Sequence, residues 1–305
     1  MAVIEVNNLT KRYADRTVVA DVSFTVEAGE IFGIIGRNGV GKTTTVECIS
    51  GLRVPDGGTV AVLGLDPQRH GVQLRRQVGV QLQESALQDR ITVREALGLF
   101  ASFYPDPARP EQLMDELGLT ASRDTAYAKL SGGQKQRLSI ALALVGNPKI
   151  AILDELTTGL DPQARRETWQ LISGVRDRGV TILLVTHFMD EAERLCDRIA
   201  VIHDGRVAAL DTPDGLTARI ATGQVLRFRT KSPADLDALR ALPAVSSVVD
   251  TDGDLVVAGT AEALPEAIVE LSRQHLIPIG LKVEQATLDD AFIAITGTAP
   301  TGDPA

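Results

Sequence analysis

Short apolar runs recur along roughly the first 215 residues, and each has the length of a buried strand. The clearest is Ile31–Ile35, which follows Gly29-Glu30 and precedes a glycine-rich segment. Apolar runs of this length, bounded by turn-forming residues, predict strands. The predicted strands cover residues 3–9, 23–26, 31–35, 59–62, 150–153, 181–185, 199–203 and, after a hairpin turn at 204–205, residues 206–210.

A middle stretch, from about residue 88 to 146, lacks strand alternation and is rich in helix formers. Thr92 and Glu95 have the spacing of a capping box, which predicts the start of a helix over 93–103. A second helical run is predicted at 138–145. We therefore expect a helical subdomain, at about 88–146, within the first domain.

The pattern changes past Gly223, after the turn-rich segment 211–215. Strands are predicted at 225–229, 245–249, 255–257 and 277–283, with helices at 233–242, 261–274 and 287–296. The order β-α-β-β-α-β predicts a ferredoxin-like fold. The predicted organisation is a first domain at 1–215, a linker at 216–222, a small α+β accessory domain at 223–297 and a disordered tail at 298–305.

Composition narrows the class of protein. The 305 residues are 44% hydrophobic, which suffices for one large domain or two smaller ones. No apolar run approaches the roughly 18 residues of a membrane-spanning helix, and the first residues lack the features of a signal peptide. Two cysteines make no disulfide framework, which fits a reducing cytosol. The net charge of −9, without a basic stripe, argues against a nucleic-acid partner.

The glycine-rich segment at 36–43 reads G-x-x-x-x-G-K-T and lies between a predicted strand and a helical run at 44–49, as in a P-loop. Glycines let successive backbone N–H groups point at phosphate oxygens, and a helix N-terminus favours the anion. Lys42 supplies a point charge for the β- and γ-phosphates, and the Thr43 hydroxyl is a ligand for Mg²⁺. The predicted nucleotide cradle is Gly36, Arg37, Asn38, Gly39, Val40, Gly41, Lys42, Thr43 and Thr44.

Two further motifs follow the P-loop in a fixed order. Residues 130–134 read L-S-G-G-Q, and a later apolar strand ends in Asp154-Glu155. With these motifs, residues 3 to about 215 resemble the ATP-binding cassette (ABC) ATPases. The resemblance implies a P-loop NTPase fold, with a RecA-like α/β core, an antiparallel β subdomain and a helical subdomain. It also implies ATP hydrolysis, with ATP and Mg²⁺ as cofactors.

The resemblance assigns roles to single residues around the nucleotide. Tyr13 resembles the aromatic residue that stacks on adenine. Asp154 resembles the aspartate that holds Mg²⁺ through water, and Glu155 the carboxylate that polarises the hydrolytic water. His187, after the run at 180–185, resembles the switch histidine that touches the γ-phosphate.

Gln83 resembles the Q-loop glutamine that reaches Mg²⁺ and the attacking water. Gln81, two residues away, offers an alternative register, and Gln83 is favoured.

Two positions depart from the family pattern. Leu156 stands where the family usually has proline, so that loop loses a fixed φ, and Val40 stands where a small residue is common. Both acidic residues before Leu156 are present, so we expect activity to survive.

In the ABC family two cassettes pack head to tail, and the L-S-G-G-Q of one covers the ATP held by the other. The resemblance implies that Ser131, Gly132, Gly133 and Gln134 contact the ATP of a second cassette, through amide groups at a helix start. Asp161, in Gly159-Leu160-Asp161, resembles the D-loop residue. Since the P-loop and the L-S-G-G-Q are both intact, a homodimer could hold two competent sites. A heterodimer with a second, different cassette is the alternative.

The segment at 190–197 and the C-terminal sequence resemble the daunorubicin-resistance type of ABC exporter subunit. That resemblance implies a separate ABC-2-type integral membrane permease, a drug-like or lipid-like substrate and a place on the cytoplasmic face of the cell membrane. The accessory domain is expected to regulate or dimerise. Its last helix has one apolar face, which packs either on its own sheet or against a twin domain: Leu288, Ala291, Phe292 and Ile295.

Two other functions are compatible with a cassette. A translation or DNA-repair ATPase usually has two cassettes, a coiled-coil insertion or metal-binding cysteines, whereas this chain has one cassette and two cysteines. A single-cassette ATPase that regulates a partner without moving a solute is the other alternative.

Overall fold

The structure is a computed structural model that describes residues 1–81, 87–218, 223–251, 253–260, 262–284 and 287–297. The chain divides between Leu210 and Asp211 into two compact units. The predicted limits of the domains at residues 215, 223 and 297 stay predictions. Among the described residues, no helix has the length and apolar character needed to cross a membrane.

A six-stranded sheet forms the centre of the first unit, in the order β5-β6-β7-β3-β8-β9. Within this order, each pair of adjacent strands from β5 through β6, β7 and β3 to β8 is parallel. Every residue of β3, β6 and β7 is buried, as continuous apolar runs predict for strands covered on both faces. The strands are β3 (Ile31–Ile35), β5 (Val78–Gln81), β6 (Ile150–Asp154), β7 (Thr181–Thr186), β8 (Arg198–His203) and β9 (Arg206–Asp211).

An antiparallel three-stranded sheet, in the order β2-β1-β4, completes the β structure of the first unit. Its strands are β1 (Ala2–Tyr13), β2 (Arg16–Glu27) and β4 (Gly57–Val62), so β1 and β2 extend further than the predicted runs at 3–9 and 23–26. Their inward side chains share one core with the central sheet; Ile4, Val22, Phe32 and Ile152 are members. The predicted RecA-like core with an antiparallel β subdomain is confirmed by this arrangement and by similar solved structures, given below.

The middle of the first unit is helical, as predicted. Thr92 caps α3 with a reciprocal capping box to Glu95, and Ser131 caps α5 in the same way with Gln134. The helices of the first unit are α1 (Lys42–Ile49), α2 (Gly71–Leu74), α3 (Val93–Ala101), α4 (Pro110–Glu116), α5 (Gly132–Leu144), α6 (Pro162–Asp177) and α7 (Met189–Leu195).

The second unit contains the predicted β-α-β-β-α-β order. Its sheet has the order β11-β12-β10-β13 with antiparallel pairs throughout, the arrangement of a ferredoxin-like fold. Its elements are α8 (Pro213–Ala218), β10 (Gly223–Arg229), α9 (Leu236–Arg240), β11 (Val245–Thr251), β12 (Asp254–Thr260), α10 (Ala263–Arg273), β13 (Ile279–Glu284) and α11 (Leu288–Thr296). Thus α8 begins inside the predicted first domain and overlaps the predicted linker, while the predicted tail lies outside the described residues.

The apolar face of α11 is covered within the second unit. Leu288, Ala291 and Phe292 are buried, and α11 contacts α8. Asp290 on the same helix forms an ion pair with Arg227 of β10 at 2.7 Å. The apolar face is thus partly covered by α8, a helix of the same unit, rather than by the sheet alone as one of the two predicted alternatives had it.

Glycine at position 79 is required by the contact between β5 and α5. A Cβ atom there would lie 1.8 Å from the carbonyl oxygen of Ala143, whereas one at Gly98, in α3, would meet no atom within 4 Å. Gly79→Ala should therefore lower the free energy of unfolding by at least about 2 kcal/mol, and Gly98→Ala should raise it by about 0.5–1 kcal/mol. Urea unfolding measures both. Equal stabilities would contradict the packing of β5 on α5.

Candidate nucleotide-binding and hydrolysis site

The parallel strands bring the predicted site residues to one edge of the sheet. Ile35 lies opposite Thr186, and Asp154 lies opposite Val185, so the chain leaves β3, β6 and β7 at neighbouring points. The carboxyl ends of adjacent parallel strands meet at the same edge, which is where ligands bind in open α/β sheets. The P-loop, Glu155 and His187 follow these three strands directly.

The P-loop wraps the N-terminus of α1. Gly41 caps this helix with φ = 104°, a conformation that favours glycine, and a Cβ atom there would lie 2.5 Å from the carbonyl oxygen of Val18. The free backbone N–H groups at the helix start then point outward, where they can donate hydrogen bonds to an anion. One concavity is lined by Val18, Asn38, Gly39, Gly41, Lys42, Thr43, Thr44 and Glu155.

Lys42 is buried at the base of this concavity. Its Nζ donates hydrogen bonds to the carbonyl oxygens of Gly36 at 2.9 Å and Arg37 at 3.1 Å, and lies 3.8 Å from Glu155 Oε1. Burial lowers the pKa of Lys42, and the carboxylates of Glu155 and Asp154 oppose that shift. The ammonium is thus held in place by the loop, with its charge directed at the space above it.

Asp154 carries a buried carboxyl group without a partner. It is 0% exposed, and neither carboxyl oxygen makes a hydrogen bond within the described part of the chain. Desolvation, followed by the charge of Glu155, raises the pKa of Asp154 from 3.8 to about 6. The Thr43 hydroxyl lies near enough to oppose this rise but lacks hydrogen-bond geometry.

An unpaired buried carboxyl beside a hydroxyl fits a bound Mg²⁺ ion. Mg²⁺ prefers oxygen ligands and usually binds through one or two carboxylates, water and substrate phosphates. In the described ranges no cluster of three or more His, Cys, Asp or Glu side chains could hold a metal by itself. Among the described residues, Asp154 and Thr43 are the predicted metal ligands, and their role stays a prediction, as does that of Gln83, which lies outside the described residues.

Glu155 lies at the centre of the site in a strained backbone conformation. Its φ is 50°, which is rare for a residue other than glycine, and its N–H donates to the Val185 carbonyl oxygen at 2.9 Å. His187 Nδ1 lies 3.4 Å from Glu155 Oε1, close but not aligned as a hydrogen bond. His187, followed by the charge of Lys42, lowers the pKa of Glu155 against the effect of burial. The carboxylate is therefore ionised at neutral pH, as a proton acceptor must be.

The L-S-G-G-Q segment lines a second concavity, whose residues do not overlap with those of the first. Ser131 Oγ accepts the N–H of Gln134 at 3.2 Å, and Gly132 begins α5. Asp161 Oδ1 accepts the N–H groups of Gln163 and Ala164 and so caps α6. This concavity is lined by Gly118, Ser131, Gly132, Gly133, Gln134, Arg137, Gly159, Leu160, Asp161, Ala164 and Glu167.

Several residues predicted for the nucleotide site do not line the first concavity: Tyr13, Gly36, Arg37, Val40, Asp154 and His187. Tyr13 is 38% exposed at the end of β1, where its ring lies 5.2 Å from the guanidinium carbon of Arg53 and 5.8 Å from Lys11 Nζ. Its role in adenine stacking stays a prediction. Gln83 lies outside the described residues, so its role is also a prediction.

Sequence reasoning missed two contributors to the site. Val18 of β2 lines the first concavity and contacts Gly41, but a valine in a strand carries no signal of this role. Gln81 Oε1 accepts the Asp154 N–H at 3.1 Å, so the alternative glutamine supports the backbone next to the proposed metal ligand. In the sequence, Gln81 figured only as an alternative register for Gln83, not as a support for Asp154.

Together, the fold and the site define a P-loop nucleotide triphosphatase. Comparison with known proteins gives its family. Residues 19–158 match the ABC transporter family model. The chain is 37% identical over 302 residues to the Nod factor export ATP-binding protein I of Burkholderia lata, covering 97% of this chain and 98% of that protein.

Solved structures give the same result. The ATP-binding subunit of an ABC transporter is 33% identical, with a TM-score of 0.64, and the match covers 71% of this chain and 92% of that one. A dimeric ATP-binding cassette in a post-hydrolysis state with ADP and Pi is 26% identical, with a TM-score of 0.61, covering 68% and 98% of the two chains. The chain belongs to the ATP-binding subunits of ABC transporters and is an ATPase.

The unpaired carboxyl of Asp154 predicts a gain in stability when its charge is removed. Because the folded-state pKa is raised, the stabilising contribution of this group is present below about pH 4 and is lost as the pH rises through about 6. At pH 8, Asp154→Asn should raise the free energy of unfolding of the nucleotide-free protein by up to about 3 kcal/mol, at about 1.4 kcal/mol per pKa unit. Urea unfolding between pH 4 and 8 measures the difference.

Asp106→Asn, at an exposed position, is the matched control and should change stability by less than about 0.5 kcal/mol. If Asp154→Asn were no more stable than the natural protein at pH 8, the carboxyl group would not be desolvated as described.

Proposed function

We propose that this chain is the ATP-hydrolysing subunit of an ABC exporter, which drives a drug-like or lipid-like substrate through a separate integral membrane permease of the ABC-2 type. The observation that supports hydrolysis is the group formed by Lys42, Glu155 and His187 beside the P-loop concavity. Export is supported by the Nod factor export relative, which matches over nearly the whole chain. A subunit that regulates a partner without transport is the less supported alternative.

In the proposed reaction Glu155 accepts a proton from the attacking water while His187 contacts the γ-phosphate. The P-loop N–H groups and Lys42 hold the phosphates, so the residues present orient the nucleotide before reaction. Asp154 and Thr43 would hold Mg²⁺, which would supply positive charge against the phosphate oxygens. Since Lys42 and His187 both lower the pKa of Glu155, its carboxylate is available as the base.

The second concavity supports a head-to-tail dimer. Its wall contains the N-terminus of α5, with Gly132 and Gly133, and Asp161 at the start of α6. A helix start is suited to an anion, and we propose that it contacts the γ-phosphate of ATP bound to the P-loop of a second copy. The similar post-hydrolysis cassette is itself dimeric.

The helical subdomain is proposed to contact the permease. A groove between the end of β5 and helices α3 and α5 has an aromatic and aliphatic wall that includes Phe100, Tyr104 and Leu138. Leu99 on α3 and Phe103, two residues past its end, are 49% and 67% exposed, so apolar surface is available to a partner here. Such a contact would place the subunit on the cytoplasmic face of the membrane.

The second unit is proposed to regulate the cassette or to join two copies. Its ferredoxin-like fold contains none of the P-loop, L-S-G-G-Q or Asp-Glu motifs. One groove of this unit is lined by Arg227, Arg229, Lys282, Asp254 and Thr251 together with apolar side chains of the sheet and α11. This composition suits a protein surface better than a catalytic centre.

Glu155→Gln tests the proposed base. The variant should bind ATP with nearly unchanged affinity, because the P-loop and Lys42 are untouched, and should hydrolyse it about 10²–10⁴-fold more slowly. It should also accumulate as an ATP-bound dimer in size-exclusion chromatography. Glu193→Gln, at an exposed position on α7, is the matched control. Normal turnover by a monomeric Glu155→Gln variant would refute both the base and the dimer.

A mixing experiment tests the composite site. Ser131→Arg places a large cation in the second concavity and should abolish hydrolysis while leaving ATP binding to the monomer intact. Mixed with Lys42→Ala, it should regain part of the ATPase activity, because one intact site forms from the P-loop of the first variant and the L-S-G-G-Q of the second. Ser131→Thr, which can still cap α5, controls for loss of the cap. Loss of ATP affinity in isolated Ser131→Arg would show that the motif acts within its own chain.

A further inference from the structure

A second carboxyl group of the first unit is buried outside the nucleotide cradle. Glu191, on α7, is 0% exposed, and its Oε1 accepts a hydrogen bond from Trp169 Nε1 at 3.0 Å. Its Oε2 is buried and makes no hydrogen bond within the described residues. The buried hydroxyl groups of Thr157 and Thr186 lie beside the carboxyl. We refer to Thr157, Trp169, Thr186 and Glu191 as the Glu191 cluster.

The Glu191 cluster joins segments that carry the reacting groups. Thr157 follows Glu155 by two residues, and Thr186 immediately precedes His187. Trp169 lies on α6, the helix that Asp161 caps. Thr186 Oγ1 also accepts the Phe188 N–H at 3.0 Å, which fixes the turn of chain around His187.

Arg165, one helical turn before Trp169 on α6, contacts the same segment around His187. The Arg165 guanidinium lies 4.2 Å from the centre of the Phe188 ring and 3.6 Å from Asp190. The Phe188 ring centre is in turn 4.2 Å from that of His187. Helix α6 thus holds the histidine segment at two successive turns, through Arg165 and through Trp169 with Glu191.

We propose that Glu191 is a positioning residue for ATP hydrolysis, whose buried carboxyl holds the segment around His187 against α6 and against the segment that follows Glu155. The inference rests on the proposed roles of Glu155 and His187. Glu191 does not line the nucleotide concavity, so its effect must pass through the segments that carry His187 and Glu155.

The charge of Glu191 is not what the cluster requires. Burial raises its pKa, and the neighbouring hydroxyls and the indole N–H act against that rise. The groups near it are the polar side chains of the cluster, Asp190 adjacent on α7, the buried Cys196 thiol, and the Arg194 guanidinium 5.9 Å from the Trp169 ring. A neutral side chain of the same shape, such as glutamine, should therefore replace it.

The test compares Glu191→Ala, Glu191→Gln and Trp169→Phe in the purified full chain. Glu191→Ala should retain ATP affinity within about threefold, and its kcat should fall about 10–100-fold, because small displacements of reacting groups cost rate rather than binding. Trp169→Phe, which removes the indole donor together with part of the ring volume, should lower kcat in the same direction but less. Glu191→Gln should restore kcat to within about threefold of the natural protein.

The fluorescence of Trp169, the only tryptophan in the chain, reports the cluster directly. Its emission should shift in Glu191→Ala and stay unchanged in Glu191→Gln. The inference would be overturned by unchanged kcat in Glu191→Ala, by equal losses of kcat and ATP affinity, or by a Glu191→Gln variant as slow as Glu191→Ala. Glu155→Gln serves as the reference, because normal hydrolysis in that variant would reject the proposed base whatever Glu191 does.

Discussion

The parallel pairing of β6, β7 and β3 is the constraint on which the site depends. It fixes where the chain leaves each strand, and so it places a cation, a carboxylate and an imidazole within a few ångströms of each other. Lys42 lies 3.8 Å from Glu155, and His187 lies 3.4 Å from it. The rest of the first unit, including the antiparallel sheet and the helical segment, holds this edge of the sheet in one arrangement.

The site carries several features that oppose folding. Glu155 has a backbone conformation that costs about 1–3 kcal/mol in a residue other than glycine. Asp154 has a buried carboxyl group that makes no hydrogen bond to the described part of the chain, and Lys42 is a buried cation. The last two features suit a nucleotide with its divalent cation, because phosphate oxygens can pair with Lys42 and a cation can pair with Asp154. Such local costs are typical of sites that are arranged for a ligand rather than for stability.

Some features were within reach of sequence reasoning and others were not. The P-loop and the capping box at Thr92 are local, so residue spacing predicts them. Strand β5 has only four residues and was not predicted, because it becomes a strand by pairing with β6. Glu191 belongs to an acidic helical segment that looks solvent-exposed in the sequence; only the packing of α6 and α7 shows that it is buried.

By itself, the sequence determined the family, the ATPase activity and the β-α-β-β-α-β order of the second unit. These properties depend on residue type and short-range spacing, which the chain carries wherever it folds. The tertiary structure alone decided which carboxyl lacks a partner, which lysine faces which acid, and that the apolar face of α11 is covered within its own unit. These depend on contacts between residues far apart in the chain, and on the desolvation that such contacts produce, which no local pattern encodes.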